Sequence, residues 1–194
     1  GRSVDFPNFF VKQYEYFHYI ELCKVLRKNA IGLKARGVGF SEIAAAILIN
    51  GYITRPHFRG VVAAQQEGYV DDTLSKCWMQ LSYLDDNTED GMRKLRQVHN
   101  TAKWKRASSK NVDGVESGWM SEIEGITADK PNKIRGDRTD ILMYEESGSW
   151  PNWKKAFIQG DALIDIQGQR FGIKIAWGTG GDSGPALEGV AAAF

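Results

Sequence analysis

An apolar tetrapeptide, Ala30-Ile31-Gly32-Leu33, runs into Lys34-Ala35-Arg36-Gly37-Val38-Gly39-Phe40-Ser41 and then into Glu42-Ile43-Ala44-Ala45-Ala46-Ile47-Leu48-Ile49. The order is strand, glycine-containing turn, helix. Such a turn gathers unpaired backbone N–H groups at a helix N-terminus, where they attract phosphate. The common phosphate-loop pattern, G-x-x-x-x-G-K-[ST], places its lysine on the β- and γ-phosphates and its hydroxyl on Mg²⁺. Gly39 and Ser41 fit it, whereas Phe40 stands in the lysine position and Ala35 in that of the first glycine. Two readings follow: a phosphate loop whose cation is Lys34, folded back from the loop's other end, or a strand-to-helix turn without a ligand. Ser41 is expected to cap the helix and Gly51 to stop it.

A chain of 194 residues with 42% hydrophobic content can bury one substantial core, most simply as one domain spanning residues 1–194. Its net charge of +1 announces no basic field, so a nucleic-acid surface must be local. Cys23 and Cys77 lie far apart in helix-like stretches, which favours a reducing cytosol over a disulfide framework. His18, His57 and His99 lack metal-ligand spacing. No apolar run reaches the ~18 residues of a membrane span, and no signal peptide is evident. The missing initiator Met suggests a piece of a longer protein.

Residues 10–26 carry Tyr16, Tyr19, Ile20, Cys23 and Leu26 at helical spacing, predicting a helix packed on a sheet. Gln13, near its start, is placed either to read an adenine edge or to face solvent. Arg59-Gly60-Val61-Val62-Ala63-Ala64 predicts a second strand and residues 68–84 a helix; the alternation implies an α/β fold with a mainly parallel sheet flanked by helices on both faces. From Asp85 to Gly125 the pattern weakens. A basic cluster around Trp104, with Lys103, Lys105 and Arg106, suits either nucleic acid or a solvated face.

Further on, Ile141-Leu142-Met143-Tyr144 ends in Glu145-Glu146. A buried strand ending in paired acids is the Walker B pattern: Glu145 beside Mg²⁺, Glu146 polarising the attacking water. Residues 150–160 predict a helix with Trp153, Phe157 and Ile158 inward, and residues 170–177 a strand. Gly178-Thr179-Gly180-Gly181 follows it directly, either as a flexible turn or as a segment that senses the γ-phosphate.

The order of these motifs, over most of the chain from Gln13 to Asp182, resembles the ATPase domain of the large terminase subunit, the DNA-packaging motor of tailed bacteriophages and herpesviruses. Residues 34–41 look like that family's deviant Walker A, with the Lys displaced to the loop's start and an aromatic in its usual place; Arg36 matches its catalytic, finger-like arginine. Ile134-Arg135-Gly136, Tyr144-Glu145-Glu146 and Gly178-Thr179-Gly180-Gly181 are similar to its Arg-Gly element, Walker B and coupling motif, and Gln13 to its adenine-reading glutamine. The resemblance implies a P-loop NTPase of the additional-strand, catalytic-glutamate class. ATP would lie on Lys34, Ala35, Arg36, Gly37, Val38, Gly39, Phe40 and Ser41, Mg²⁺ on Ser41 and Glu145, and water on Glu146. It further implies double-stranded DNA, a procapsid portal protein and a small terminase subunit as partners, and a homo-oligomeric ring at work in the host-cell cytoplasm, with no membrane partner. Glu145 stands where the family has Asp, and the family's RNase H-like nuclease acids are absent, so no nuclease activity is expected of this chain. The alternatives are a helicase-like ATPase domain and a catalytically silent DNA- or portal-binding module.

Overall fold

A computed structural model describes residues 8–88, 98–101, 104–107, 109–110, 113–128, 134 and 138–179. Helix α1 (Val11–Val25) leads into strand β1 (Ala30–Leu33), and the 34–41 loop joins β1 to helix α2 (Phe40–Thr54). Strand β2 (Arg59–Ala64) and helix α3 (Glu67–Asn87) follow. The weakly patterned region then supplies β3 (Val98–Thr101), β4 (Trp104–Ala107), β5 (Ser109–Lys110), β6 (Glu116–Ser117) and β7 (Glu122–Thr127). Strand β8 (Ile141–Glu145) ends in a 3₁₀ turn at Ser147–Ser149. Beyond lie α4 (Trp153–Gln159), α5 (Asp161–Ile164), the short hairpin strands β9 (Asp165–Ile166) and β10 (Gln169–Arg170), and β11 (Ile173–Gly178).

The sheet runs β1-β11-β8-β2-β7-β4-β3. From β1 to β7 every pairing is parallel, with β4 and β3 continuing antiparallel beyond β7. Every residue of β8 and of β11 is buried, as expected of parallel strands covered on both faces. Helices α2 and α3 pack on each other and on β2, α1 on β1 and β11, and α5 on β8. Among the described residues no helix is long and apolar enough to cross a membrane. Cys23 and Cys77 are both buried and unbridged.

Parallel pairing puts the starts of β1, β2, β8 and β11 at one end of the sheet and their C-terminal ends at the other. The 34–41 loop, Glu145, Glu146 and Thr179 therefore meet at the C-terminal end, the usual ligand crevice of an open α/β sheet.

Several local expectations need correction. Helix α2 does not stop at Gly51 but continues to Thr54, because Gly51 serves packing: a Cβ there would lie 2.4 Å from the Phe58 ring. Nor does Ser41 cap that helix. Gly39, in the left-handed region, is the N-cap, which leaves the Ser41 hydroxyl for another partner. The helix predicted over residues 150–160 begins only at Trp153, and Ala156 rather than the 59% exposed Ile158 completes its inner face. Tyr19 of α1 and the helix's C-cap, Leu26, are likewise exposed, leaving Ile20 and Cys23 as its buried apolar residues.

Gly51→Ala should destabilise the protein by about 1–3 kcal/mol through overpacking against Phe58, even though alanine is the better helix former by about 1 kcal/mol. Urea melts of the two proteins check this; a more stable variant would mean that the Phe58 ring moves aside freely.

Candidate nucleotide site

The 34–41 loop turns back on itself through two left-handed glycines, Gly37 (φ 81°) and Gly39 (φ 73°). Gly39 is required twice over, because a Cβ there would also meet Gln13 Nε2 at 2.7 Å. Gln13 donates from Nε2 to the Val38 carbonyl (3.2 Å) and accepts the Phe10 N–H at Oε1 (2.9 Å). Both ends of its amide are thus engaged by protein, and the side chain ties the start of α1 to the loop. Between them lies a cavity of about 370 Å³ lined by Gln13, Tyr16, Lys34, Ala35, Val38 and Phe40. The Phe40 ring packs 4.3 Å from that of Tyr16 and 6.3 Å from Trp177, so the aromatic in the usual lysine position belongs to the core side of the loop.

Across the crevice, β8 delivers two acids to different places. Glu145 is the last strand residue and is 3% exposed; Oε1 accepts the Ser41 hydroxyl at 2.8 Å, while Oε2 is buried and makes no hydrogen bond of good geometry among the described residues. Burial pushes its pKa from the ordinary 4.5 up to about 7, against the lowering effects of the Ser41 hydrogen bond, the Lys34 charge and the nearby Trp177 indole N–H; the Glu146 charge adds to the rise. Glu146 then adopts a left-handed backbone (φ 47°, ψ 43°), a conformation costing a non-glycine residue on the order of 1–2 kcal/mol. The turn is held by Ser149, whose N–H and hydroxyl both donate to the Glu146 carbonyl (2.9 and 2.8 Å), and by the Trp150 indole N–H, which donates to the Glu145 carbonyl (3.1 Å).

That turn aims Glu146 at the loop. Its Oε1 pairs with Lys34 Nζ, and its Oε2 accepts from the Thr179 amide at 3.3 Å and the Thr179 hydroxyl at 3.4 Å. The Lys34 and Glu146 side chains are only 10% and 18% exposed. The ammonium therefore lies in the crevice rather than in solvent. The Lys34 N–H donates to the Gly178 carbonyl (3.1 Å), and Gly178 has no room for a side chain, since a Cβ would lie 2.5 Å from the Gly148 nitrogen. Arg36 is exposed at the rim of the loop. Arg135, Gly136, Gly180 and Gly181 lie outside the described residues. The supporting aromatics Tyr16, Trp150 and Trp177 carried no site signal in the sequence beyond their apolar character.

Ser41 and Glu145, whose buried inner oxygen lacks a well-formed hydrogen bond among the described residues, form a pair of hard oxygen donors, which fits Mg²⁺. Without a cation, the raised pKa makes folding favour the neutral acid. That contribution to stability is fully present below about pH 4.5 and is lost as the pH rises through about 7. The nucleotide-free protein should therefore lose up to about 3 kcal/mol relative to Glu145→Gln over that window. Denaturant melts of both proteins across the range check this, and parallel pH profiles would place the Glu145 pKa in the ordinary range.

In this sheet β11 stands between β1, which feeds the glycine loop, and β8, which carries the acids. That insertion defines the P-loop NTPase fold in its additional-strand form. More particularly, the fold is that of phage large terminase ATPase domains. The chain is similar to the large terminase ATPase domain of Thermus phage P74-26 (17% identity, TM-score 0.59, covering 82% of this chain and 62% of that one). It is also similar to the large terminase of a second thermophilic bacteriophage, in complex with ADP (12%, 0.59, 92% and 40%), and to the HK97 bacteriophage large terminase (16%, 0.59, 90% and 34%). This chain spans only part of each, at most 62% of the three. No protein-family model matches the sequence, and no curated protein matches it.

Proposed function

We propose that this chain is a Mg²⁺-dependent ATPase of the large-terminase type, hydrolysing ATP to move double-stranded DNA into a procapsid. The observation that carries the reading is the reach of Lys34: from the start of the loop its ammonium lies on Glu146, at the place where a terminal phosphate would sit between loop and acid. A cation that enters the crevice from there supplies the charge that Phe40 cannot.

In this account the loop amides and the first turn of α2 bind the phosphates, because unpaired N–H groups at a helix N-terminus favour anions. Lys34 exchanges Glu146 for the phosphates, which are the more highly charged partner. Glu146, released at Oε1 and still held at Oε2 by Thr179, orients the attacking water as general base. Arg36, exposed on the loop, meets transition-state charge within the subunit or across a ring contact. Ser41 and Glu145 would hold Mg²⁺, which when bound would neutralise phosphate charge. Thr179 joins the acid to the end of β11, so loss of the phosphate is felt there. The nucleobase occupies the cavity beside Tyr16 and Phe40; Gln13, with one bond made at each end of its amide, keeps a second Nε2 hydrogen and a second Oε1 lone pair for an adenine edge. Two of the structures similar to this chain support the reading by their own descriptions, one as an ATPase domain and one in complex with ADP.

Portal protein, small terminase subunit and a ring of copies are the partners that this function requires. A phosphate-release assay with and without Mg²⁺ tests its chemical half. Turnover that needs Mg²⁺ is expected; no turnover, together with no ATP binding in calorimetry with or without Mg²⁺, would make the chain a silent module. Strand unwinding without duplex translocation would make it helicase-like.

A further inference from the structure

At the opposite end of the sheet from the loop, the strand starts surround an open cavity of about 1120 Å³. Lys24, Arg27, His57, Arg138 and Arg170 line it with one carboxylate, Asp140; Lys24 is paired with Glu21 (2.5 Å) and Arg170 with Asp161 (3.4 Å), two carboxylates outside the lining. The Asp140 carboxylate is committed: Oδ2 accepts the Arg59 N–H at 2.8 Å, and Oδ1 lies 3.9 Å from Arg55. Arg170 braces the wall by donating to the Arg27 carbonyl at 3.1 Å. Arg27 and Arg138 are exposed and make no ion pair among the described residues. Four of the chain's 25 Lys and Arg side chains thus line one concavity, away from the proposed ATP site, and Arg27 and Arg138 are the two of them without such a pair.

From this we infer that the cavity at the strand starts is a binding surface for the phosphodiester backbone of nucleic acid. Several cations spread around a space this large and open suit a ligand of repeating charge better than a single small anion. Arginine forks match phosphate oxygens in geometry as well as in charge. Phe171, 42% exposed on the lining, adds an apolar surface on which a sugar or base can lie. The inference deepens the nucleic-acid half of the proposed function and rests on that half alone. It places the grip and the ATP chemistry at opposite ends of β1, β8 and β11, strands that run straight from one to the other.

The test is fluorescence anisotropy of a labelled duplex of mixed sequence, about two helical turns long, with the full chain and with the double variant Arg27→Asn, Arg138→Gln. Asparagine is chosen because Arg27 is left-handed (φ 53°) and asparagine tolerates that conformation. The variant should bind the duplex at least about tenfold more weakly at roughly 100 mM salt, and its slope of log K against log salt should fall by about 2, since each phosphate contact contributes roughly 0.9. Mg·ATP affinity, measured on the same samples, should stay at the parent value and so report on folding. Equal duplex binding by parent and variant would overturn the inference. So would parental binding of polyglutamate of matched charge as tight as that of DNA, or no duplex binding even at low salt. Loss of Mg·ATP binding in the parent, with the duplex still held through Arg27 and Arg138, would overturn the ATPase reading and leave this one standing.

Discussion

Glu146→Gln should bind ATP at least as tightly as the parent and turn it over about 10²–10⁴-fold more slowly. The amide keeps the shape of the side chain and its contacts with Thr179 while losing the negative charge that orients water. It also loses the charge that holds Lys34 in the nucleotide-free protein. Two effects on one residue therefore have opposite signs: slower chemistry, and a lysine freed in advance for phosphate. Asp140, the acid at the other end of β8, cannot substitute, since it faces the strand starts and binds Arg59. Single-turnover hydrolysis together with equilibrium ATP binding measures both effects. Near-parental turnover would place the base elsewhere, and weakened binding would mean that the Lys34–Glu146 pair does not compete with nucleotide.

Strands β2 and β8 were legible because a parallel strand covered on both faces is an apolar run with few alternatives. The loop was legible because Gly37 and Gly39 occupy left-handed backbone that other residues avoid. Strand β7 was not, for a reason in its composition. Glu122 and Glu124 break the apolar pattern, and what makes them tolerable is Arg59 on neighbouring β2, whose two terminal nitrogens reach them at 2.7 and 2.8 Å. Such cross-strand pairing is invisible until the register is known. In β11 the buried Lys174 is equally opaque: Asp161 (2.7 Å) and the Phe157 carbonyl (2.7 Å) satisfy its ammonium from α5 and α4. The acids of the site and the roles expected of them could be named from sequence, but the geometry that separates them could not. Glu145 is buried against Ser41, and Glu146 is swung to Lys34 by a left-handed turn that no residue preference announces.

Lys34→Ala should cost about 10²–10³-fold in kcat/KM, the scale seen when one preorganised charge-stabilising donor is removed. It should also destabilise the nucleotide-free protein. On sequence alone an exposed lysine at a strand end would be dispensable for stability to within about 0.5 kcal/mol. The structure changes that expectation, because alanine leaves the largely buried Glu146 with Thr179 as its remaining partner, a loss of about 1–3 kcal/mol. Adding Glu146→Gln should restore part of that stability by removing the unpaired charge, and a double-mutant cycle gives the coupling. Phe40→Lys should not rescue Lys34→Ala in full, because a lysine at position 40 loses the ring contacts with Tyr16 and Trp177. All of this rests on Lys34 being the phosphate cation. Calorimetric titration of Mg·ATP into the parent and into Lys34→Ala, at a pH above the Glu145 pKa of about 7, addresses that most directly. Saturable binding to the parent is expected, with an affinity at least about tenfold weaker for the variant, the loss of one charge-assisted contact; equal affinities, or no binding by the parent, would rule out Lys34 as the phosphate cation.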